Sequence, residues 1–184
     1  MQSSFTYDVY LSFRDEDTRR GFTGHLYKSL QQNGIRTFID LQKLYTGSQI
    51  DPSLVKAIDE SKIAIVIFSE SYASSPFCLD ELCIILDRVK GNGRFVLPIF
   101  YKVDRYEALS GFGFDDNDNI PKVKVQNWRL ALQKAANLFS WSFTDRDGYE
   151  YEFIQKIVDY VSRRIDPASP LNVADYLGYV EWVE

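Results

Sequence analysis

Ile63-Ala64-Ile65-Val66-Ile67-Phe68 is the stretch on which the fold turns. A strand with one wet face would alternate apolar and polar residues, and this run does not alternate. In a chain that also carries helical patterns, it marks a central strand buried on both faces, as in parallel sheets covered by helices. The run is far shorter than the roughly 20 residues that cross a bilayer.

Working outward, each neighbouring segment fits that reading. Before the run, Pro52 opens a helix through Ala57 and Ile58 that ends near Ser61. Residues 40–50 are a polar loop containing Gly47, and residues 35–39 form a short β-branched strand. Residues 18–32 carry Phe22, Leu26 and Leu30 one turn apart and stop at Asn33-Gly34, a helix C-terminal signal. Residues 7–13 read as the first strand. After the run, Ser75-Pro76 is an N-cap followed by proline at the first helical position. Leu79, Leu82, Cys83, Leu86 and Val89 continue that helix to Gly91-Asn92-Gly93. Residues 95–101 form a strand, and Pro98 within it should lie where no ladder donor is needed. Residues 102–123 read as irregular and residues 126–139 as a helix. Trp141 and Phe143 suggest a short last strand, and residues 151–165 form an amphipathic helix. The chain is therefore expected to be α/β and doubly wound: five parallel strands in the order 2-1-3-4-5, with helices on both faces. One domain over residues 1–166 and a linker or tail over residues 167–184 are expected.

Composition narrows the chemistry. The 184 residues are 45% apolar and 26% charged, a globular balance. The net charge of −5 and pI of about 5.0 argue against nucleic acid as the main partner. No basic, apolar leader opens the sequence, so an intracellular protein is expected. Cys78 and Cys83, the only two cysteines, would point about 140° apart on a helix and should not pair. With a single histidine, His25, no structural zinc site is expected and no metal is called for. Gly111-Phe112-Gly113 lacks the third glycine of a dinucleotide loop. Asp115-Asp116-Asn117-Asp118-Asn119 begins like a calcium loop, but Ile120 and Gln126 occupy the positions of its glycine and glutamate.

In an open doubly wound sheet, ligands bind beyond the carboxyl ends of the strands, where strand order reverses. That point lies between strands one and three, flanked by residues 14–20 and 69–78, with residues 40–50 able to fold over it. Phe77 and Glu81, four apart, share a helix face and are expected near this crevice. An aromatic plane beside a carboxylate suits a flat cationic ring attached to a sugar, and Arg14 could meet a phosphate. The alternative is a core phenylalanine and a solvated glutamate.

Tyr7-Asp8-Val9-Tyr10-Leu11-Ser12-Phe13-Arg14, followed by Glu16-Asp17-Thr18-Arg19, resembles the opening of a plant TIR domain, the Toll/interleukin-1 receptor module of intracellular immune receptors. The resemblance continues through Phe22-Thr23-Gly24-His25-Leu26-Tyr27, Gly34-Ile35-Arg36-Thr37-Phe38-Ile39-Asp40, Ala57-Ile58-Asp59-Glu60-Ser61, Tyr72-Ala73-Ser74-Ser75, Cys78-Leu79-Asp80-Glu81-Leu82 and Leu97-Pro98-Ile99-Phe100-Tyr101. It covers roughly residues 5–166. The tail around residues 174–182 resembles the approach to a following nucleotide-binding domain.

The resemblance implies a flavodoxin-like fold, self-association, and cleavage of NAD at the nicotinamide–ribose bond, with NAD as substrate and no cofactor. Glu81 falls on the family's catalytic glutamate. Arg14, Asp15, Phe77, Ser75, Ile39 and Asp40 fall at the substrate crevice. Gly24 and His25 fall on one self-association surface, and Lys43, Leu44 and Gly47 on another. Other TIR domains are the implied partners, in the cytoplasm or in both nucleus and cytoplasm. Three departures stand out. Asp15 replaces the usual glycine, and its charge at about 4 Å from a pyrophosphate would cost roughly 1 kcal/mol in water and about 4 at an effective dielectric near 20. Phe77 replaces the usual tryptophan, and Asp104-Arg105 replaces Asp-Pro. The enzymatic expectation requires Glu81 to face an open crevice. Two alternatives stand beside it: a TIR module that acts only by assembly, and a receiver-like binding domain. Ser69, where a receiver needs aspartate, argues against the last.

Overall fold

The computed structural model describes residues 5–41, 49–110, 112–114 and 119–166. The expectations for Lys43, Leu44, Gly47, Gly111, residues 115–118 and the tail from 167 fall outside them. Strands β1 (Tyr7–Phe13), β2 (Thr37–Ile39), β3 (Ser61–Phe68), β4 (Phe95–Tyr101) and β5 (Trp141–Phe143) form one sheet in the order β2-β1-β3-β4-β5. All four pairings are parallel. This is the expected topology. β3 sits between β1 and β4 and is buried over nearly its whole length. That is why its sequence shows no alternation. Pro98 faces Val66 of β3 and lies one residue before β5 begins opposite Ile99. It therefore sits at a stepped edge, where a missing donor costs least.

Seven helices connect the strands among the described residues: α1 (Asp15–Thr18), α2 (Phe22–Gln32), α3 (Pro52–Asp59), α4 (Pro76–Arg88), α5 (Arg105–Ser110), α6 (Lys122–Ala136) and α7 (Glu150–Ile165). Alternate residues of each strand feed two cores. One holds Val9, Leu11, Phe13, Ile63, Ile65 and Ile67 with the inward faces of α2 and α7. The other holds Tyr10, Ala64, Val66 and Phe68 with α3, α4 and α6.

The boundaries depart from expectation in three places. The helix expected over residues 18–32 begins only at Phe22, after Gly21 at φ −130°, ψ −116°, and a separate short helix, α1, precedes it. The Thr18 and Thr23 hydroxyls meet across that corner at 2.6 Å. The stretch expected to be irregular contains α5, held at its start by Asp104, whose carboxylate accepts from the Tyr106 amide at 2.8 Å. α6 begins four residues early, after Pro121, and ends before Phe139. Among the described residues, no helix is long and apolar enough to cross a membrane.

Candidate functional site

The switch point between β1 and β3 is where expected, and the loops beside it are tied together. Asp17 in α1 accepts from the Ser69 hydroxyl at 2.6 Å and from the Ser71 amide at 2.8 Å. Asp17 was not among the expected site residues. Its sequence signals were its place in the loop after β1 and in the motif Glu16-Asp17-Thr18-Arg19.

α4 brings Ser75, Phe77 and Glu81 to this end of the sheet. Ser75 caps the helix as expected, its hydroxyl accepting from the Cys78 amide at 3.2 Å, and it is buried. Glu81 points inward. The Tyr10 phenol donates to Glu81 Oε2 at 3.0 Å, joining residues 71 positions apart in sequence. Glu81 is 2% exposed and Phe77 5%, with Phe77 packed in the core beside Cys78 and Leu79. The expected open crevice with both side chains facing solvent is therefore not what a single chain presents. The reason lies in packing. An amphipathic reading grants a helix one wet face, but α4 packs against β1, α3 and α6 together. Its first two turns are consequently buried nearly all round.

Two further tyrosine contacts line the same interior. Tyr10 stacks on Phe38 with ring centroids 5.3 Å apart and planes 8° from parallel. The Tyr72 hydroxyl lies 2.8 Å from the Ser12 hydroxyl and donates to the Cys78 carbonyl at 3.2 Å. Burial pushes the Tyr10 phenol well above its ordinary value, and the Glu81 carboxylate pushes it further. Tyr72 moves the same way, chiefly through burial. Tyr10, Phe38 and Tyr72 are the residues that reading the sequence missed. Their strand positions were legible, but not the partner across the sheet.

The remaining expectations divide. Asp40 lies close enough to act electrostatically on Tyr10. Ile39 does not join this group: it packs with the α2 and α7 core on the other face, while Phe38 takes the Glu81 side. Period-two alternation of a strand separates the two neighbours. Arg14 Nε is 2.7 Å from Glu16 Oε2, a pair whose glutamate side chain is largely exposed. Asp15 is paired with Arg19 at 3.0 Å, which compensates the charge expected to oppose a pyrophosphate. Arg19 also donates to the carbonyls of Asp40 and Leu41, tying α1 to the end of β2.

Gly24 and His25 lie in the first turn of α2. His25 has a side chain 66% exposed and meets Glu150 of α7, Nδ1 to Oε1, at 3.1 Å. Glu150 also accepts from the Tyr101 phenol at 2.6 Å. A shallow cavity of about 560 Å³ opens beside this contact, between α2 and α7, lined by His25, Ser29, Tyr151 and Lys156. A second hollow of about 1240 Å³ lies beyond the ends of β4 and β5, where Lys102, Arg105 and Arg146 are interspersed with Asp104, Glu107 and Asp145. Among the described residues, no group of histidine, cysteine or acidic side chains is placed to hold a metal ion.

Comparison with known proteins agrees with this architecture. The family model described as TIR domain matches residues 6–176. The chain is 46% identical over 175 residues to disease resistance protein RUN1 of Vitis rotundifolia, covering 88% of this chain and 12% of that protein. It is 43% identical over 184 residues to TMV resistance protein N of Nicotiana glutinosa, covering 96% of this chain and 16% of that protein. The chain thus spans less than a fifth of the length of these relatives. Among solved structures it is similar to the TIR domains of the activated Roq1 resistosome, described as directly recognizing the pathogen effector XopQ. There the TM-score is 0.75 and the identity 41%, over 84% of this chain and 99% of that one. The RPS4 and RRS1 TIR domain heterodimer, at 16% identity and a TM-score of 0.52, shares the fold.

Proposed function

The chain belongs to the TIR domain family, and on that premise we propose that it is the signalling domain of a plant disease-resistance receptor, one that self-associates and in the assembled state cleaves NAD. The observation that carries this reading is the placement of Glu81 at the switch point with its carboxylate oriented by Tyr10; as regards substrate access, its 2% exposure in a single chain counts the other way. Burying a carboxylate costs several kcal/mol unless it is compensated, so a purely structural position would favour an apolar side chain. Costly, oriented carboxylates gather where chemistry is done.

The chemistry needs one acid. The bond between the ribose anomeric carbon and the pyridinium nitrogen breaks, and its electron pair goes to nicotinamide, which leaves as a neutral ring without a general acid. The ribose becomes oxocarbenium-like, and the Glu81 carboxylate stabilises that charge more strongly in the transition state than in the ground state. Water then adds to the anomeric carbon and loses a proton, giving ADP-ribose. With Glu81 2% exposed in one chain, substrate access on this reading follows a rearrangement driven by assembly. Other TIR domains are the partners, NAD the substrate and the cytoplasm the place of action.

Glu81's burial favours a second reading, a module that acts by assembly alone. Nicotinamide release from NAD separates the two. Release is expected to rise steeply with protein concentration, or on fusion to a multimerising scaffold, and to vanish in Glu81→Gln, which keeps the shape. No release from the multimerised protein would leave the assembly-only reading.

A further inference from the structure

Two buried tyrosines face Glu81, and they use their protons differently. Tyr72 gives its proton to the Cys78 carbonyl and lies against Ser12. Tyr10 gives its proton to Glu81 Oε2 at 3.0 Å. The Tyr10 ring cannot swing away easily. It is fully buried in the middle of β1 and stacked on Phe38, against which Tyr7 also packs edge-on with ring centroids 5.3 Å apart. A phenol held this way presents one donor in one direction.

We propose that Tyr10 is a positioning residue for Glu81, its phenol fixing the orientation of the carboxylate at the end of the sheet. The catalytic consequence rests on the NAD-cleaving reading above; the coupling between the two side chains does not. A hydrogen bond donated to the charged form of an acid favours that form, and a preoriented charge needs no reorganisation when positive charge develops on the ribose. Among the described residues, Asp40 at the end of β2 and Tyr72 from the turn Tyr72–Ser74 also act on Tyr10, and Cys78 and Cys83 on α4 act on Tyr72. The contact with the Tyr10 phenol at 3.0 Å is the one the geometry gives for the Glu81 carboxylate from β1. Burial and its acidic neighbours keep the phenol protonated well above neutral pH, so it stays a donor wherever the domain works.

The test is Tyr10→Phe, which removes the hydroxyl and keeps the ring on Phe38. In the multimerised protein, kcat for nicotinamide release is expected to fall about tenfold, the weight of one hydrogen bond to a charged group, with KM nearly unchanged. The acid limb of the pH profile should move up by about one unit. A merely structural tyrosine would move neither the limb nor the ratio of kcat to KM. An unchanged profile, or faster release, overturns the proposal; the second result would mean that the phenol holds Glu81 back. Should no form of the protein release nicotinamide, the carboxyl carbon of Glu81 still reports the contact by NMR. A higher titration midpoint in Tyr10→Phe supports the coupling, and an identical midpoint ends it. Where Tyr10→Phe does not fold, 3-fluorotyrosine at position 10 makes a stronger donor of the same shape and is expected to move that midpoint down; no movement overturns the proposal.

Discussion

His25 on α2 and Glu150 at the head of α7 are joined at 3.1 Å, and Glu150's other oxygen is held at 2.6 Å by the Tyr101 phenol. An exposed histidine is thus oriented from the end of β4 through a single carboxylate. If α2 and α7 form a self-association surface, His25→Ala should weaken association about fivefold, the effect of an ordinary interface side chain. Glu150→Gln should weaken it less, by loosening His25. Sedimentation of the isolated chain across a concentration series checks this. An unaffected profile for both variants places the surface elsewhere.

Gly24 should respond to substitution against the usual helix rule. Replacing a mid-helix glycine by alanine ordinarily stabilises by about 1 kcal/mol. Here a Cβ at position 24 would lie 2.6 Å from the Arg19 carbonyl oxygen, a backbone atom of the turn after α1. Gly24→Ala is therefore expected to destabilise by about 1–3 kcal/mol, the range for overpacking. Urea unfolding gives the sign directly, and a gain in stability would show that the turn yields freely.

Asp15→Gly should not accelerate NAD cleavage by relieving repulsion, because Arg19 already balances that charge at 3.0 Å. Both side chains are about 30% exposed, so losing the pair should cost no more than about 1 kcal/mol. Thermal unfolding and the release assay, run together, check both halves. A several-fold faster rate would mean that Asp15 does meet the substrate's phosphates.

Cys83 should react slowly with thiol reagents. Burial pushes its thiol up to about 11, and the nearby Asp80 carboxylate adds to the effect. The thiolate is the reactive form, so at pH 8 modification of the folded chain should lag far behind that of the unfolded chain. Rates should climb as pH approaches 11. Equal rates folded and unfolded at pH 8 would contradict this placement.

The site was legible only in part. The turn chemistry of Ser75-Pro76 located the start of α4, and with it Glu81, to the residue. Helical periodicity then assigned Glu81 the wrong surroundings, because it treats a helix as having one neighbour and α4 has several. The resemblance set Ile39 at the crevice, whereas Phe38 is the residue of that pair that shares the layer of Glu81. Which of two adjacent strand residues faces a given layer depends on register with β1, where Tyr10 pairs with Phe38.

By itself the amino-acid order determined the five strands, the five longer helices and the parallel sheet, but not the short helices α1 and α5, because the former follow from local periodicity, caps and the double-sided burial of residues 63–68. Tertiary structure alone decided that Tyr10 and Glu81 meet, that Asp15 is neutralised by Arg19, and that Glu81 is enclosed. The first of these contacts joins segments 71 positions apart. Enclosure depends on how many layers close over a side chain, and no local pattern counts those layers.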